Sequence, residues 1–430
     1  MVTERLVEFA CGPVEGEAAL AMMRLSLMDW AACGIAGAGE PVARIVREMA
    51  LEEGGAAQAA LFGGGRAPAR AAGLVNGTIS HALDYDDTHF GHIGHPSVAV
   101  IPAALAIGER GGASGRAILE AALVGAEVSI RVGMWLGRDH YQTGFHQTAT
   151  AGAFGATAAA GRLLRLSPGQ MAQALGLVAT RASGLKSQFG TMGKPYNAGL
   201  AAASGVEVAL LAARGFVSNP QALDGPQGFG PTHTGQGDLS AFDGLGSVWR
   251  MEAVSHKFHA CCHGLHAMLE ALAEIAPHVS AVDAVEVTTH PRWLSVCNIA
   301  APRTGLEAKF SYRLTAAMAL SGLSTAALGS FSERTARDPA LAGLSDKVRV
   351  DTDAALPETA ARVRVHAEGG WHAAEHDLAA PMTLQDRAAK LRRKSAALLG
   401  EARADALWQA TQSDDLSALL AQIVSPQAPG

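Results

Sequence analysis

From about Glu15 to Gly215 the chain keeps a helical periodicity built on small side chains, and this constrains the fold more than any other feature. In "EGEAALAMMRLSLMDWAACG", Leu20, Met23, Leu27 and Trp30 fall on one stripe, and Gly34 permits a stop. "SPGQMAQALGLVATRASG" opens with Ser167 as a cap and Pro168 at the first helical position, while "NAGLAAASGVEVALLAARGF" ends near Gly215 as a glycine C-cap would. Small residues recur along these segments, so neighbouring helix backbones can approach closely. No repeat of solenoid length is present.

Residues 218–250 are dense in Gly, Pro, Asn and Asp and read as a long irregular crossing segment. The texture then changes. "AVDAVEVTTH" and "DKVRVDTD" alternate valines with polar residues, and "ARVRVHAEGGWHAAEH" reads as a hairpin turning at Gly369-Gly370. "KFSYRLTAAMALSGLSTAALG" between them is helical, and helix returns after Thr383. The expected fold is mainly α: a large all-helical domain over 1–258, rejoined by 386–430, with a smaller α+β lid domain inserted over 259–385.

Composition narrows the function. At 430 residues the chain exceeds one ordinary core, and 49% hydrophobic against 17% charged residues excludes disorder. The net charge of -6 comes without a basic run, which argues against nucleic acid. The N-terminus lacks the apolar core of a signal peptide, and the least charged stretch, 140–161, lacks the bulky apolar side chains of a membrane span. Five cysteines, an odd number without framework spacing, read as reduced thiols, so the expectation is a soluble cytoplasmic protein.

Chemistry is concentrated in "HALDYDDTHFGHIGHPS", where Asp84, Asp86, Asp87, His89, His92 and His95 gather. Carboxylates beside imidazoles suit a metal, acid–base catalysis or helix capping; Gly91, Gly94 and Pro96 prevent the regular helix that would set two imidazoles on one face. In "SHKFHACCHGLHAMLEALAEIA" an amphipathic helix starting near Gly264 places Lys257, His259, Cys261, Cys262 and His263 at or before its N-terminus, where anions are favoured. The adjacent cysteines lack zinc-site spacing, and His266 among apolar neighbours reads equally well as a core histidine. Lys186 and Lys194 flank a glycine turn, His146 precedes a small-residue helix, and "EAKFSYRL" offers Tyr312. "LFGGGRAPAR" lacks the ending of a phosphate loop, and no dinucleotide fingerprint has a strand–turn–helix context.

Taken in order, "NGTISHALDYDDTH", "GHPSVAVIPAALAIGE", "GFHQTATAGAFGATAAAGRLL", "GTMGKPYNAGLAAASG", "KFHACCHGLHA" and "TGLEAKFSYRL" resemble the MmgE/PrpD family over nearly the whole chain. That family includes 2-methylcitrate dehydratase, cis-aconitate decarboxylase and iminodisuccinate epimerase. The resemblance implies a helical domain with an α+β lid, commonly as a homodimer, and no metal or organic cofactor. It assigns catalysis to Asp84, His95, His146, Lys194, Lys257 and Tyr312. Thr88, Cys262, His266 and Lys186 are candidates for binding substrate. One position departs: the decarboxylase has a histidine where Cys262 stands, which counts against cis-aconitate decarboxylation. The expected activity is a cofactor-independent hydro-lyase on a small di- or tricarboxylate, working through an enediolate-like carbanion, with a dicarboxylate epimerase as the alternative. Decarboxylation, metal-dependent hydrolysis and passive carboxylate binding rank below these.

Overall fold

A computed structural model describes residues 1–425. The described residues form nineteen α-helices and six strands. Helix accounts for 58% of the chain, against roughly a third in ordinary soluble proteins, so the fold is mainly α as expected. The chain divides into two compact units, Met1–His256 together with the segment from Leu399 onward, and Lys257–Leu398. The sequence reading ends the inserted domain at 385. In the structure the helix Leu384–Leu399 lies almost wholly in the second unit, where the Lys390 ammonium pairs with Glu270.

Within the first unit, helix Glu17–Gly37 is buried on nearly every face. This helix and Gly193–Ala213 are long and apolar enough to cross a membrane, yet 83% and 67% of their most apolar windows are buried, as in central core helices. Gly34 does not end its helix, which runs on to Gly37. Its missing side chain instead admits the Phe62 ring, since a Cβ there would lie 2.1 Å from Phe62 Cζ. Ser167 and Pro168 open their helix as expected, with Gln170 completing a capping box.

Helix Gly193–Ala213 packs on both Ala69–Ser80 and Gln147–Leu163. Small residues set the spacing. A Cβ on Gly77 would meet the Cα of Gly199 at 2.8 Å, and one on Gly205 would meet the Cβ of Ala156 at 2.5 Å. The close approach gathers three helix ends: the C-terminus of Ala69–Ser80 and the N-termini of the other two.

The irregular segment after Gly215 contains only short helical turns and is latched to helix Gly115–Thr143 by one buried ion pair. Arg131 Nε lies 2.7 Å from Glu127 Oε1, and both side chains are fully buried. The guanidinium also donates to the carbonyls of Ala241, Asp243 and Val248, while Glu127 accepts from the backbone N–H groups of Arg250 and Met251. No recognisable motif marks this pair in the sequence; its i,i+4 spacing is the only signal.

Strands β1 (Ala59–Ala60) and β2 (Arg66–Ala67) make a small antiparallel pair in the first unit. The second unit holds a sheet of β3 (Val282–Thr289), β4 (Val348–Thr352), β5 (Ala360–Ala367) and β6 (Gly370–Asp377), in the order β4-β3-β5-β6. β3 and β4 are parallel and the other pairs antiparallel. Val285, Val287, Val363 and Val365 are fully buried on the covered face. The hairpin turns one residue earlier than the Gly369-Gly370 of the sequence reading. Ala367 pairs with Gly370, so Glu368 and Gly369 occupy the turn, both at positive φ (53° and 79°), as a type I′ turn requires.

Removing one member of the buried latch leaves the other charge uncompensated, so Glu127→Gln is expected to cost about 3–5 kcal/mol of stability. Urea denaturation measures this, and limited proteolysis should find new cleavage sites within 218–254. An unchanged midpoint with an unchanged digest would show that the latch does not hold the segment.

Candidate active site

His81, Asp84, Asp86 and His95 lie on the loop that leaves helix Ala69–Ser80. The loop folds back through tight turns: Asp84 N–H donates to the His81 carbonyl at 3.1 Å, and His89 N–H to the Gly94 carbonyl at 2.9 Å. Asp84 and Ile93 have φ of 52° and 56°. An aspartate tolerates this left-handed conformation, but a β-branched residue does so at a cost of about 1–3 kcal/mol, a strain that the surrounding contacts must offset. One such contact runs from His95 N–H to Thr148 Oγ1 at 3.1 Å, which ties the loop to helix Gln147–Leu163.

The result is a chain of ionisable groups. Lys194 Nζ lies 2.6 Å from Asp84 Oδ2, and Asp84 Oδ1 lies 3.3 Å from His95 Nε2. On the other side of the ring, His95 Nδ1 is 2.9 Å from Asp86 Oδ2, while His81 Nδ1 lies 2.8 Å from Asp86 Oδ1. The cluster is graded in exposure: Asp86, His81 and His95 are buried, whereas the Asp84 side chain is 45% exposed. Burial opposes ionisation of Asp86, but the two imidazoles outweigh it and hold the carboxyl well below the usual range. Burial also lowers His81, against the pull of Asp86. Neutral His81 therefore donates through Nδ1, which leaves Nε2 as the basic nitrogen; Nε2 has no hydrogen-bond partner among the described residues.

His146 stands at the position just before helix Gln147–Leu163, with its ring centroid 6.0 Å from that of His81. Asn197 Nδ2 lies 3.2 Å from His146 Nδ1 and also donates to the Leu185 carbonyl, which identifies it as the amide nitrogen. His146 Nδ1 thus accepts, and its proton sits on Nε2. Burial above all, with the nearby Lys194 charge adding to it, pushes its pKa well below the ordinary value, so His146 is a neutral N–H donor. Lys194 stands in the first turn of Gly193–Ala213, one turn before Asn197 on the same face. Two helix N-termini meet here and add their positive partial charge to that of the lysine.

The other expected first-unit residues are committed differently. Lys186 Nζ donates to the Tyr141 carbonyl at 3.0 Å and lies 3.7 Å from the centroid of that ring. Thr88 Oγ1 donates to the Ser255 carbonyl at 3.1 Å, within a two-way backbone bridge between the same residues. Asp87 is buried and accepts from Ser97 Oγ at 2.5 Å; burial pushes its pKa up to about 6.

Lys257, Cys262, His266 and Tyr312 belong to the second unit. Tyr312 is buried, and its hydroxyl donates to the Gly264 carbonyl at 2.7 Å and lies 3.1 Å from Thr289 Oγ1. These bonds hold the sheet, the Gly264 turn and helix Tyr312–Leu320 together. His266 is buried against His259 and His263 with its pKa well below the ordinary value, mainly through burial, as for a core histidine. Cys262 is half-buried beside Cys297, and Lys257 is buried.

His81 and Asn197 are absent from the residues expected to act, and Asp86 appears there only as a member of the cluster, without a role of its own. His81 stands five residues before Asp86 in the stretch quoted above, but only the fold shows that both imidazoles reach one carboxylate. His81, Asp86 and His95 have ligand atoms within 4.8 Å of one another, a donor set that a divalent metal would accept. The short distances are already accounted for by imidazole nitrogens meeting both carboxylate oxygens. An ion would require the Nδ1 atoms to lose their protons and both rings to re-aim.

The family model described as the MmgE/PrpD N-terminal domain matches residues 7–241, and that of the MmgE/PrpD C-terminal domain matches 259–416. A cis-aconitate decarboxylase of Aspergillus terreus is 33% identical over 266 residues, covering 58% of this chain and 54% of that protein. A cis-aconitate decarboxylase of Homo sapiens is 29% identical over 301 residues, covering 66% of this chain and 62% of that protein. The matched stretch thus spans a little over half the length of these relatives.

Buried neutral histidines also predict an acid limit. Burial lowers His89 to about 4, His92 to about 3 and His140 to about 4. Each binds its proton more readily when unfolded, so its contribution is intact above about pH 6.5 and lost as pH falls toward the folded value. His140 holds the His233 carbonyl and Thr150 through its two nitrogens, and His140→Gln keeps a donor but cannot charge. The variant's stability between pH 6.5 and 4 should fall less steeply by one proton, about 1.4 kcal/mol per pH unit. Parallel curves for the two proteins would refute the assignment.

Proposed function

The chain belongs to the MmgE/PrpD family, and on that premise we propose that it is a lyase acting on a small di- or tricarboxylate through an enediolate-like carbanion. The observation that carries this reading is the run Lys194–Asp84–His95–Asp86, in which a cation, a bridging carboxylate, a proton acceptor and a buried carboxylate stand in sequence. Breaking a bond beside a carboxylate puts negative charge where it is poorly stabilised. A fixed ammonium and a neutral N–H donor held beside the reacting carbon lower that cost.

The contacts support a self-resetting dehydration. His95, polarised by Asp86, takes the proton from the carbon next to a substrate carboxylate. The electron pair enters the enediolate, where Lys194 and the Nε2–H of His146 stabilise it. The carbon–oxygen bond then breaks, and the hydroxyl leaves as water with a proton from Lys194. Asp84 touches both Lys194 and His95, so the proton gained by the imidazole returns to the amine through it. His81 holds the second oxygen of Asp86 and fixes its orientation, which makes it a positioning residue.

The relatives named cis-aconitate decarboxylase support a lyase on a tricarboxylate. Cys262 in place of the decarboxylase histidine favours loss of water over loss of carbon dioxide, so a hydroxy-tricarboxylate of the 2-methylcitrate type is the first substrate to test. The proposal includes a homodimer and a cytoplasmic location.

Incubating the protein with cis-aconitate and with hydroxy-tricarboxylates in deuterated water, followed by NMR and mass analysis, separates the outcomes. Loss of water is expected. Release of carbon dioxide from cis-aconitate would place the chain with the decarboxylases, and deuterium exchange without bond cleavage would make it an epimerase. On the active substrate, Lys194→Ala and His95→Ala should each lower kcat by at least about a hundredfold. Asp86→Asn should lower kcat more than it raises KM. Near-normal turnover in Lys194→Ala or His95→Ala would remove that residue from the mechanism.

A further inference from the structure

The second unit contains a pair of thiols to which the proposed dehydration assigns no proton or bond-breaking step. Cys297 Sγ lies 3.0 Å from Cys262 Sγ, about 1 Å beyond the length of a disulfide bond. The two sit differently. Cys262 is half-buried at the start of the turn His263–Leu265, and Cys297 is fully buried at the end of helix Leu294–Cys297.

One short stretch anchors both. The Cys262 N–H donates to the Lys309 carbonyl at 3.0 Å, and the Ile299 N–H donates to the Phe310 carbonyl at 3.0 Å. Asn298 bridges to Ser311, and the Tyr312 hydroxyl holds Gly264 from the next position. Residues 309–312 thus carry the backbone on either side of the thiol pair, so the short separation is set by the fold rather than by two free side chains. The Lys257 ammonium acts electrostatically on Cys297 and, together with Lys309, on the neighbouring Cys261, so the thiol pair lies in a locally cationic stretch.

We propose that Cys262 and Cys297 form an oxidation site, with Cys262 reacting with a hydroperoxide and Cys297 closing the bond. The Cys262 thiolate attacks the peroxide oxygen, and the O–O bond breaks to give a sulfenic acid and hydroxide. The Cys297 thiol attacks the sulfenic sulfur, and its proton leaves with the hydroxyl as water. Two thiols and one hydrogen peroxide become one disulfide and two waters. The hydrogen bond to Cys262, with burial behind it, pushes the Cys297 thiol up and keeps it protonated until that second step, which suits a resolving thiol. The bond closes the segment 262–297 into a covalent loop, and a thiol reductant reopens it.

The test uses the full chain carrying Cys11→Ser, because Cys11 is an exposed thiol that would link two molecules. The reduced protein is treated with increasing hydrogen peroxide, alkylated in denaturant and digested with trypsin under non-reducing conditions. Cleavage after Arg292 separates the two cysteines. The expected product is one intramolecular link between their peptides, lighter by two hydrogens, lost on reduction and retained in Cys261→Ser. In Cys297→Ser, dimedone should trap a sulfenic acid at Cys262; in Cys262→Ser, Cys297 should stay reduced. A link between Cys261 and Cys262 would overturn the proposal. So would over-oxidised Cys262 beside alkylatable Cys297, or an unchanged Cys262 at peroxide levels that fully oxidise a small reference thiol.

Discussion

The site rests on one buried carboxylate. Asp86 stands where water cannot solvate it, and it stays charged because two imidazoles meet its two oxygens. That requirement explains why His81 and His95 converge although thirteen residues lie between them, and why the loop between them accepts backbone strain at Ile93. It also divides labour. Asp86 is buried and fixed, whereas Asp84 is half exposed and bound to Lys194 on the solvent side of the cluster.

The convergence needs close helices. Lys194 and Asn197 start one helix, His146 starts a second and His81 ends a third, so the groups meet only if the helix ends nearly touch. Gly77, Gly199 and Gly205 allow this, because any side chain there would press on the neighbouring backbone or on Ala156. The small-residue texture that first indicated a helical domain is therefore also what brings the site residues within bonding distance. The Arg131–Glu127 pair serves a separate purpose. It supplies partners to five backbone groups of an irregular segment that has no sheet or helix to satisfy them.

Parts of this were legible residue by residue. The stretch with Asp84, Asp86 and His95 stands out because charged groups are scarce around it, and capping residues such as Ser167 act over a few positions. Lys194 and His146 are weak signals taken singly, and only the resemblance to a family raised them. His81 and Asn197 carried no signal of their own, since a histidine after a helix and an asparagine within one are ordinary. Tyr312 and Lys186 show the converse. The resemblance assigns catalysis to Tyr312, and Lys186 is a candidate for binding substrate; in the structure the hydroxyl and the ammonium each donate to a carbonyl of the framework.

The amino-acid sequence by itself determined the helical class, the change to an α+β unit and the acid–base character of residues 81–97, because periodicity, turn chemistry and residue type act locally along the chain. Only the tertiary structure decided which nitrogen faces which carboxylate, that Gly34 makes room for Phe62 instead of ending a helix, and that Cys262 meets Cys297. These depend on distances between residues far apart in sequence, which are set by packing and by the need of every buried polar group for a partner.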